Sequence, residues 1–223
     1  MDSRAAIYHF TNKSEHRPKV YMDQIKLLED YAKELGFDGM DLFIDKSLKV
    51  SERDEFNRFL SCSEQYKALI VKDFYHLNDN TGACMKIISD LTVRGIEIYT
   101  MVNGNLVWGK PSFDKKLRVA TYTCQSGTFD EMKQIVSIKN DTYKLFIEKK
   151  TNWDLVDQYY DKYRHQTDDE QINIKELIKN REKYDLLLVN NMNDIHWRTS
   201  KFCKIREQLQ LDIYSLQEGF LKY

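Results

Sequence analysis

The sequence predicts an α/β protein of two tandem domains, each a mainly parallel sheet of about four strands flanked by helices. Three observations carry this. Short apolar runs of strand length alternate with longer stretches whose apolar residues recur every three or four positions, the signature of strands alternating with amphipathic helices. Gly36, Gly95 and the Asn78-Asp79-Asn80 cluster stand where such elements should stop or start. Blocks of the first half recur in the same order in the second, and 223 residues leave room for two domains of roughly 100 residues each.

Taken in order, residues 5–10 form an apolar run rich in strand formers, and the polar stretch 11–18 ends it in a loop. Over 19–35, Val20, Ile25, Leu28, Ala32 and Leu35 keep helical spacing with charged residues between them, and Gly36 suits the left-handed residue that closes a helix. A short strand at 41–44, a polar loop at 45–51 and a helix at 54–60 with Phe56, Phe59 and Leu60 inward come next. Residues 66–101, YKALIVKDFYHLNDNTGACMKIISDLTVRGIEIYTM, then read as a strand at 68–71, a polar loop, a helix with Met85, Ile88 and Leu91 on one face, and a strand over 96–102. Two strands this short lie parallel only across a crossover of about a dozen residues, so the β-α-β-α-β-α-β order implies a mainly parallel sheet. Ligands of such sheets bind beyond the carboxyl ends of the strands, here 11–14, 45–47 and 74–80. Asn103-Gly104 reads as a hairpin turn leading to 106–108. Residues 109–116, with Pro111, Ser112 and paired lysines, read as the boundary, giving domains 1–110 and 118–223 and a linker at 111–117.

Composition removes several function classes. Formal net charge is −1, and neither side of Lys110 holds a sizeable basic excess. Counterion release from cationic surface drives nucleic-acid affinity, so nothing here supports tight autonomous DNA binding. Cys62, Cys84, Cys124 and Cys203 are far apart and form no ligand or redox motif, which fits reduced thiols in a cytoplasm. Asp41 and Asp45 lie near one strand without histidine partners, so no metal is expected, and no cofactor motif stands out. No apolar run approaches the ~18 residues of a membrane span, and MDSRAAIYHF lacks the apolar core of a signal peptide. A cytoplasmic protein without a membrane partner is the expectation.

One family brings these features together. The first strand, the helix with Gln24, Leu28, Tyr31, Ala32 and Gly36, the FIDKS stretch at 43–47, Arg53 ahead of an apolar helix, and VKDFYHLNDNT at 71–81 occur in a recognisable order. Over residues 4 to 102 the chain resembles the catalytic domain of the serine recombinases, the resolvase/invertase family. The resemblance implies a resolvase-like fold, and in the family a serine just after the first strand cuts DNA, arginines hold the phosphate, and a tetramer exchanges strands. The family's Tyr-x-Arg-x-Ser motif, set on Tyr8, puts Phe10 at the arginine and Asn12 at the nucleophile; a one-residue shift puts His9 and Thr11 there. Its Asp-Arg-Leu loop with a following arginine falls on residues 75–80, with His76 at the first arginine, Leu77 matched and Asp79 at the second. Phosphodiester attack needs a nucleophile and preorganised cations to offset phosphoryl charge, and an aspartate there is unfavourable. The positions retained are Gln24, Asp45 and Arg53, which in the family support the fold and shape the site. The resemblance therefore implies a pseudoenzyme.

The second half repeats the pattern. Arg118 and VATYT resemble Arg4 and AAIYH; Tyr160-Asp161-Lys162 resembles Ile44-Asp45-Lys46; YDLLLVNNMNDIHWRTSKFCKI at 184–205 aligns without gaps to YKALIVKDFYHLNDNTGACMKI at 66–87; LDIYSL at 211–216 echoes IEIYTM at 96–101. Here Asp194 and Trp197 stand at the two arginine positions, and Cys124, Gln125 or Ser126 near the nucleophile. The helix from 129 to 149 has an imperfect apolar face of Ile135, Ile138, Leu145 and Phe146. The family's long helix after the catalytic sheet is missing, as are a helix-turn-helix, zinc ribbon or basic C-terminal domain, so strand exchange by this chain alone is not expected.

Each candidate has a plainer reading. His76 and His196 are contacts or acid/base groups, or simply exposed loop residues. Asp45 and Arg53 bind phosphate or metal, or form a structural ion pair or cap. Thr11 and Ser14 are nucleophiles only if a base and a cation accompany them. Trp153, Tyr159, Tyr160 and Tyr163 stack bases, or pack as strand and core. Cys84 and Cys203 read as buried small hydrophobes. Three functions stay open. The first is a degenerate accessory or regulatory factor in DNA recombination of a mobile element or phage, with DNA or a recombinase protein as partner and a pseudo-dimer or homo-oligomer as its form. The second is an active recombinase or nuclease with a displaced hydroxyl, Thr11 or Ser14. The third is a binding module for a nucleotide or other small phosphate.

Overall fold

A computed structural model describes residues 4–11, 18–46, 52–104, 107–109, 115–162 and 171–223, with the backbone only of 18–20 and 107–109. Asn12, Ser14, Pro111, Ser112 and Tyr163 lie outside the described residues. The chain divides into two compact units, Met1–Leu106 and Val107–Tyr223.

The first unit runs β1 (Arg4–Phe10), α1 (Pro18–Glu34), β2 (Gly39–Asp45), α2 (Asp54–Ser61), β3 (Ala68–Val71), α3 (Thr81–Val93) and β4 (Glu97–Thr100). Its four strands are all parallel in the order β2-β1-β3-β4. Central β1 and β3 are buried on both faces, which is why they read as unbroken apolar runs instead of alternating ones. On one face Ala5, Ile7, Ala68 and Ile70 pack against Leu28 and Ala32 of α1, with Phe37 closing the cluster. α1 ends at Gly36, whose φ of +86° is the left-handed conformation glycine adopts without strain. α3 starts at Asn80, whose side chain accepts the Ala83 N–H at 3.0 Å.

The expected hairpin at Asn103-Gly104 is replaced by another arrangement. Asn103 Oδ1 accepts the Phe74 N–H at 3.2 Å, and Thr100 Oγ1 donates to the Gly104 carbonyl at 2.7 Å, which turns the chain away from β4. The following strand, β5 (Val107–Gly109), pairs in the second sheet and belongs to the second compact unit.

The second unit continues with β6 (Leu117–Gln125), α4 (Phe129–Glu148), β7 (Trp153–Lys162), α5 (Ile172–Lys179), β8 (Leu186–Val189), α6 (Thr199–Leu209), β9 (Asp212–Ser215) and β10 (Gly219–Lys222). Strands β7-β6-β8-β9 are parallel and follow the same connectivity as β2-β1-β3-β4. The sheet has six strands, not about four, because β10 turns back antiparallel on β9 and β5 pairs antiparallel with β10. β7 carries a bulge opposite Val119/Ala120.

The apolar face expected for α4 is corrected in half of its residues, since Ile135 and Phe146 are partly buried. Ile138 and Leu145 are exposed, and Met132, Val136, Tyr143 and Ile147 face the sheet. These four keep a spacing of three-and-a-half to four residues, and Tyr143 and Ile147 meet Leu117, Val119, Trp153, Leu186 and Leu188 with Phe146 of the expected face packed beside them, whereas Ile138 and Leu145 sit on the far side of the helix.

Candidate functional site

At the carboxyl ends of β1, β2 and β3, a buried polar frame ties the strands to α2. Asp45, 4% exposed at the end of β2, accepts the Glu55 N–H at 3.0 Å through Oδ1. Through Oδ2 it accepts the Phe56 N–H at 3.0 Å and the Tyr8 hydroxyl at 3.1 Å. Its charge therefore sits where the first free amides of α2 point, as a helix start favours. Arg53, 3% exposed just before α2, donates from Nε to the Tyr8 hydroxyl at 3.3 Å and from Nη1 to the Leu77 carbonyl at 2.6 Å. Its guanidinium lies 4.1 Å from the Phe56 ring centre. Asp45 and Arg53 thus meet through the Tyr8 hydroxyl, and burial holds that phenol above its ordinary pKa, so it remains a donor.

His76 is buried, not exposed as a lone loop histidine was expected to be. It closes a 3₁₀ turn, Phe74–His76, capped by Asp73, whose Oδ1 accepts the His76 N–H at 3.2 Å and lies 2.9 Å from its Nδ1. The ring stacks 5.2 Å from His9 and 4.6 Å from Phe10, centre to centre. Burial, with His76 and Lys72 nearby, pushes the His9 pKa down to about 4. His9, Phe10 and His76, set against the family's arginines, therefore form an aromatic cluster in which His9 is uncharged at neutral pH.

The other candidates are more scattered. Thr11 is 9% exposed, and its N–H donates to the Asp45 carbonyl at 2.9 Å, extending the β1–β2 pairing. Gln24 is half-buried within α1, and Asp79 is exposed on the turn before α3. Asp41 is held by Arg4 at 2.6 Å and by the Tyr66 hydroxyl at 2.9 Å. Among the described residues no group of His, Cys, Asp and Glu could hold a metal ion, and no helix is long and apolar enough to cross a membrane.

The second unit repeats the frame with one substitution. Asp161 accepts the Asn173 N–H at 3.0 Å, the Ile174 N–H at 2.9 Å and the Tyr122 hydroxyl at 3.0 Å. Gln171 stands where Arg53 stands, donating from Nε2 to the Tyr122 hydroxyl at 3.2 Å and to the Ile195 carbonyl at 3.1 Å. The turn after β8 is likewise capped, with Asn191 Oδ1 accepting the Asp194 N–H at 3.1 Å. His196 is buried and accepts the Arg198 N–H at 2.9 Å through Nδ1, as Asn78 accepts that of Asn80. Asp194, 5% exposed, receives the Lys139 ammonium at 3.0 Å; burial pushes its carboxyl up while Lys139 opposes the shift.

A cavity of about 480 Å³ opens beside this pair, lined by Cys124, Gln125 and Ser126 after β6, Lys139 of α4, and Asn191, Asn193, Asp194 and Trp197 after β8. Burial raises the Cys124 thiol to about 11, which leaves it protonated and a poor nucleophile. Trp153 is buried and packs against Phe146 and Tyr214; Tyr159 hydrogen bonds Tyr184 at 2.6 Å, and Tyr160 is exposed. Cys84 and Cys203 are buried and form no disulfide, and the Cys84 thiol donates to the Phe74 carbonyl at 3.4 Å.

Sequence reasoning missed the tyrosine hub, Asp73, Lys139 and Gln171. A signal existed for two of these: Tyr8 and Tyr122 occupy one place in the matched first-strand blocks, and the spacing that sets Tyr184 on Tyr66 also sets Gln171 on Arg53.

Comparison with known proteins gives one family match. The model described as "Resolvase, N terminal domain" matches residues 13–120, just under half of the chain, beginning after β1. No curated protein matches. Among solved structures, the C-terminal catalytic domain of ISC1926 TnpA, an IS607-like serine recombinase, is 16% identical, with 66% of this chain and 88% of that one covered and a TM-score of 0.38. A Caulobacter myo-inositol binding protein is also 16% identical, covering 96% and 75%, with a TM-score of 0.32. Neither likeness carries an argument at such scores, so the fold rests on the strand order above. By the family match, residues 13–120 are resolvase-like.

Proposed function

We propose that the protein is a catalytically silent relative of the serine recombinases, built as two resolvase-like domains in tandem. In this reading it acts as an accessory or regulatory factor in site-specific DNA recombination of a mobile element or phage, with DNA or a recombinase protein as its partner. The observation that carries the silent part is the exchange of Arg53 for Gln171 in otherwise matching frames. A carboxamide makes the same two bonds as the guanidinium but cannot offset phosphoryl charge, so the frame's work is to hold β1, α2 and the turn after β3 together. The packing of His9, Phe10 and His76 against one another supports the same reading, since a phosphate would need cations where these rings lie.

The test is trapping of covalent protein–DNA adducts on supercoiled DNA, with the wild type beside Thr11→Ala and Ser14→Ala. No adduct is expected from any of the three. A 5′-phosphothreonyl or phosphoseryl adduct that disappears in one variant would overturn the reading and establish a displaced nucleophile.

A further inference from the structure

The cavity of the second unit lies at the point where the chain leaves the sheet in opposite directions, from β6 through α4 toward β7 and from β8 toward β9. Open α/β sheets take ligands at such points, and about 480 Å³ is within the range of small-molecule sites. Its charges narrow the ligand class. Lys139 is the one cation among the lining residues and Asp194 the one anion, and they pair at 3.0 Å with side chains 17% and 6% exposed. An anionic ligand would have to break that buried pair. Nor is the start of α4 open to phosphate: the Glu131 carboxylate accepts the Thr128 N–H and hydroxyl, both at 2.8 Å, and sets a negative charge there.

What remains is an uncharged lining of carboxamides, a protonated thiol and a half-buried indole. Trp197 lines the cavity half-buried, with the Arg198 guanidinium 4.7 Å from its ring centre and the nearly parallel His196 ring 6.4 Å away, so the indole is the one large π surface the lining offers a ligand. The Gln125 carboxamide offers a donor and an acceptor in one plane, the pattern that pairs with the edge of a nucleobase. We propose that this cavity takes an uncharged nucleobase, stacked on Trp197 and bonded at its edge by the Gln125 carboxamide. The base is that of a free nucleoside or an unstacked base of a single strand; the chemistry of recognition is shared. The inference is independent of whether the chain cuts DNA.

Calorimetric titration of the full chain with adenosine, guanosine, cytidine and thymidine tests it. At least one should bind with a Kd below about 1 mM, and its 5′-monophosphate should bind no more tightly. Trp197→Ala should weaken that binding by roughly 10- to 100-fold, the loss of one base–aromatic stack. Gln125→Ala, a half-buried position less costly to the fold, should weaken it several-fold and keeps the test valid if the first variant does not fold. A short single-stranded oligonucleotide separates the sources: Trp197-dependent binding as tight as the nucleoside's points to a strand, and its lack points to a free nucleoside. No binding of any nucleoside up to about 10 mM overturns the proposal. So do tighter binding of the monophosphate or of inorganic phosphate, binding of glucose or myo-inositol in place of nucleosides, and affinities unchanged in both variants.

Discussion

Replacing His9 with Phe should remove a pH dependence from the stability of the first unit. His9 is fully buried, stacked on His76 and 6.0 Å from Tyr21, and its folded-state pKa is about 4 against about 6.5 when unfolded. The unfolded chain therefore binds a proton that the folded chain refuses, and stability falls as pH drops through 6.5, levelling off near 4. The fall from about 6.5 to about 4 corresponds to roughly 3 kcal/mol at full effect, of which somewhat under half is lost by pH 5.5 and most by pH 4.5. His9→Phe keeps an aromatic ring in the cluster and removes the titration, so any overpacking cost should be the same at every pH. Urea denaturation from about pH 7.5 to 4.5, followed by circular dichroism, reads the gap between the two proteins. Tryptophan fluorescence serves as an internal control, because Trp108, Trp153 and Trp197 all lie in the second unit. The gap should shift toward the variant by about 2 kcal/mol or more on acidification. A gap constant to within about 0.5 kcal/mol would refute a neutral buried His9.

Two further substitutions probe the frames and the buried pair. Asp45→Ala and Asp161→Ala each leave two helix-start amides and a tyrosine hydroxyl without their carboxylate, and each should cost about 3 kcal/mol. Hydrogen exchange should show lost protection at β1 and α2 for the first and at β6 and α5 for the second; a loss below about 1 kcal/mol in either would mean the frame is not structural. Lys139→Met leaves Asp194 buried without its ammonium and should cost about 3–5 kcal/mol at neutral pH. The Asp194 carboxyl, already pushed up by burial, rises further without Lys139, so this cost should shrink as pH falls and the carboxyl protonates. A pH-independent cost, measured by the same denaturation, would sink the assignment.

Much of the fold was legible because its elements are locally consistent. β3 needed only its unbroken apolar run, α3 its Asn80 start and Met85-Ile88-Leu91 face, and α1 the glycine at its end. β10 and the pairing of β5 were not, since three- and four-residue strands carry almost no periodicity and the partner of β5 lies more than 100 residues away in the chain. α4 misled for a related reason: with apolar residues on both sides of the helix, only the sheet decides which side is buried.

The site divides along the same line. Asp45 and Arg53 could be picked out, but not what they do, because their partners are a strand hydroxyl and the carbonyl of Leu77, groups that composition does not reveal. His76 looked exposed because the stretch around it carries Lys72, Asp73 and Asn78-Asp79-Asn80; its neighbours in space are His9 and Phe10, brought to it by the pairing of β1 with β3. What a single sequence could not supply was a control for the role of Arg53, and the second unit is that control. With Gln171 at the same place the hydroxyl and the carbonyl are still met, so positive charge is dispensable to the frame. If Arg53 does nothing more than Gln171, then Arg53→Gln should preserve the fold of the first unit, with stability within about 1 kcal/mol, whereas Arg53→Ala should cost two hydrogen bonds and about 2 kcal/mol or more. A large loss in Arg53→Gln would instead mean that the guanidinium's charge or its stacking on Phe56 matters in the first unit, and that the two frames are not equivalent after all.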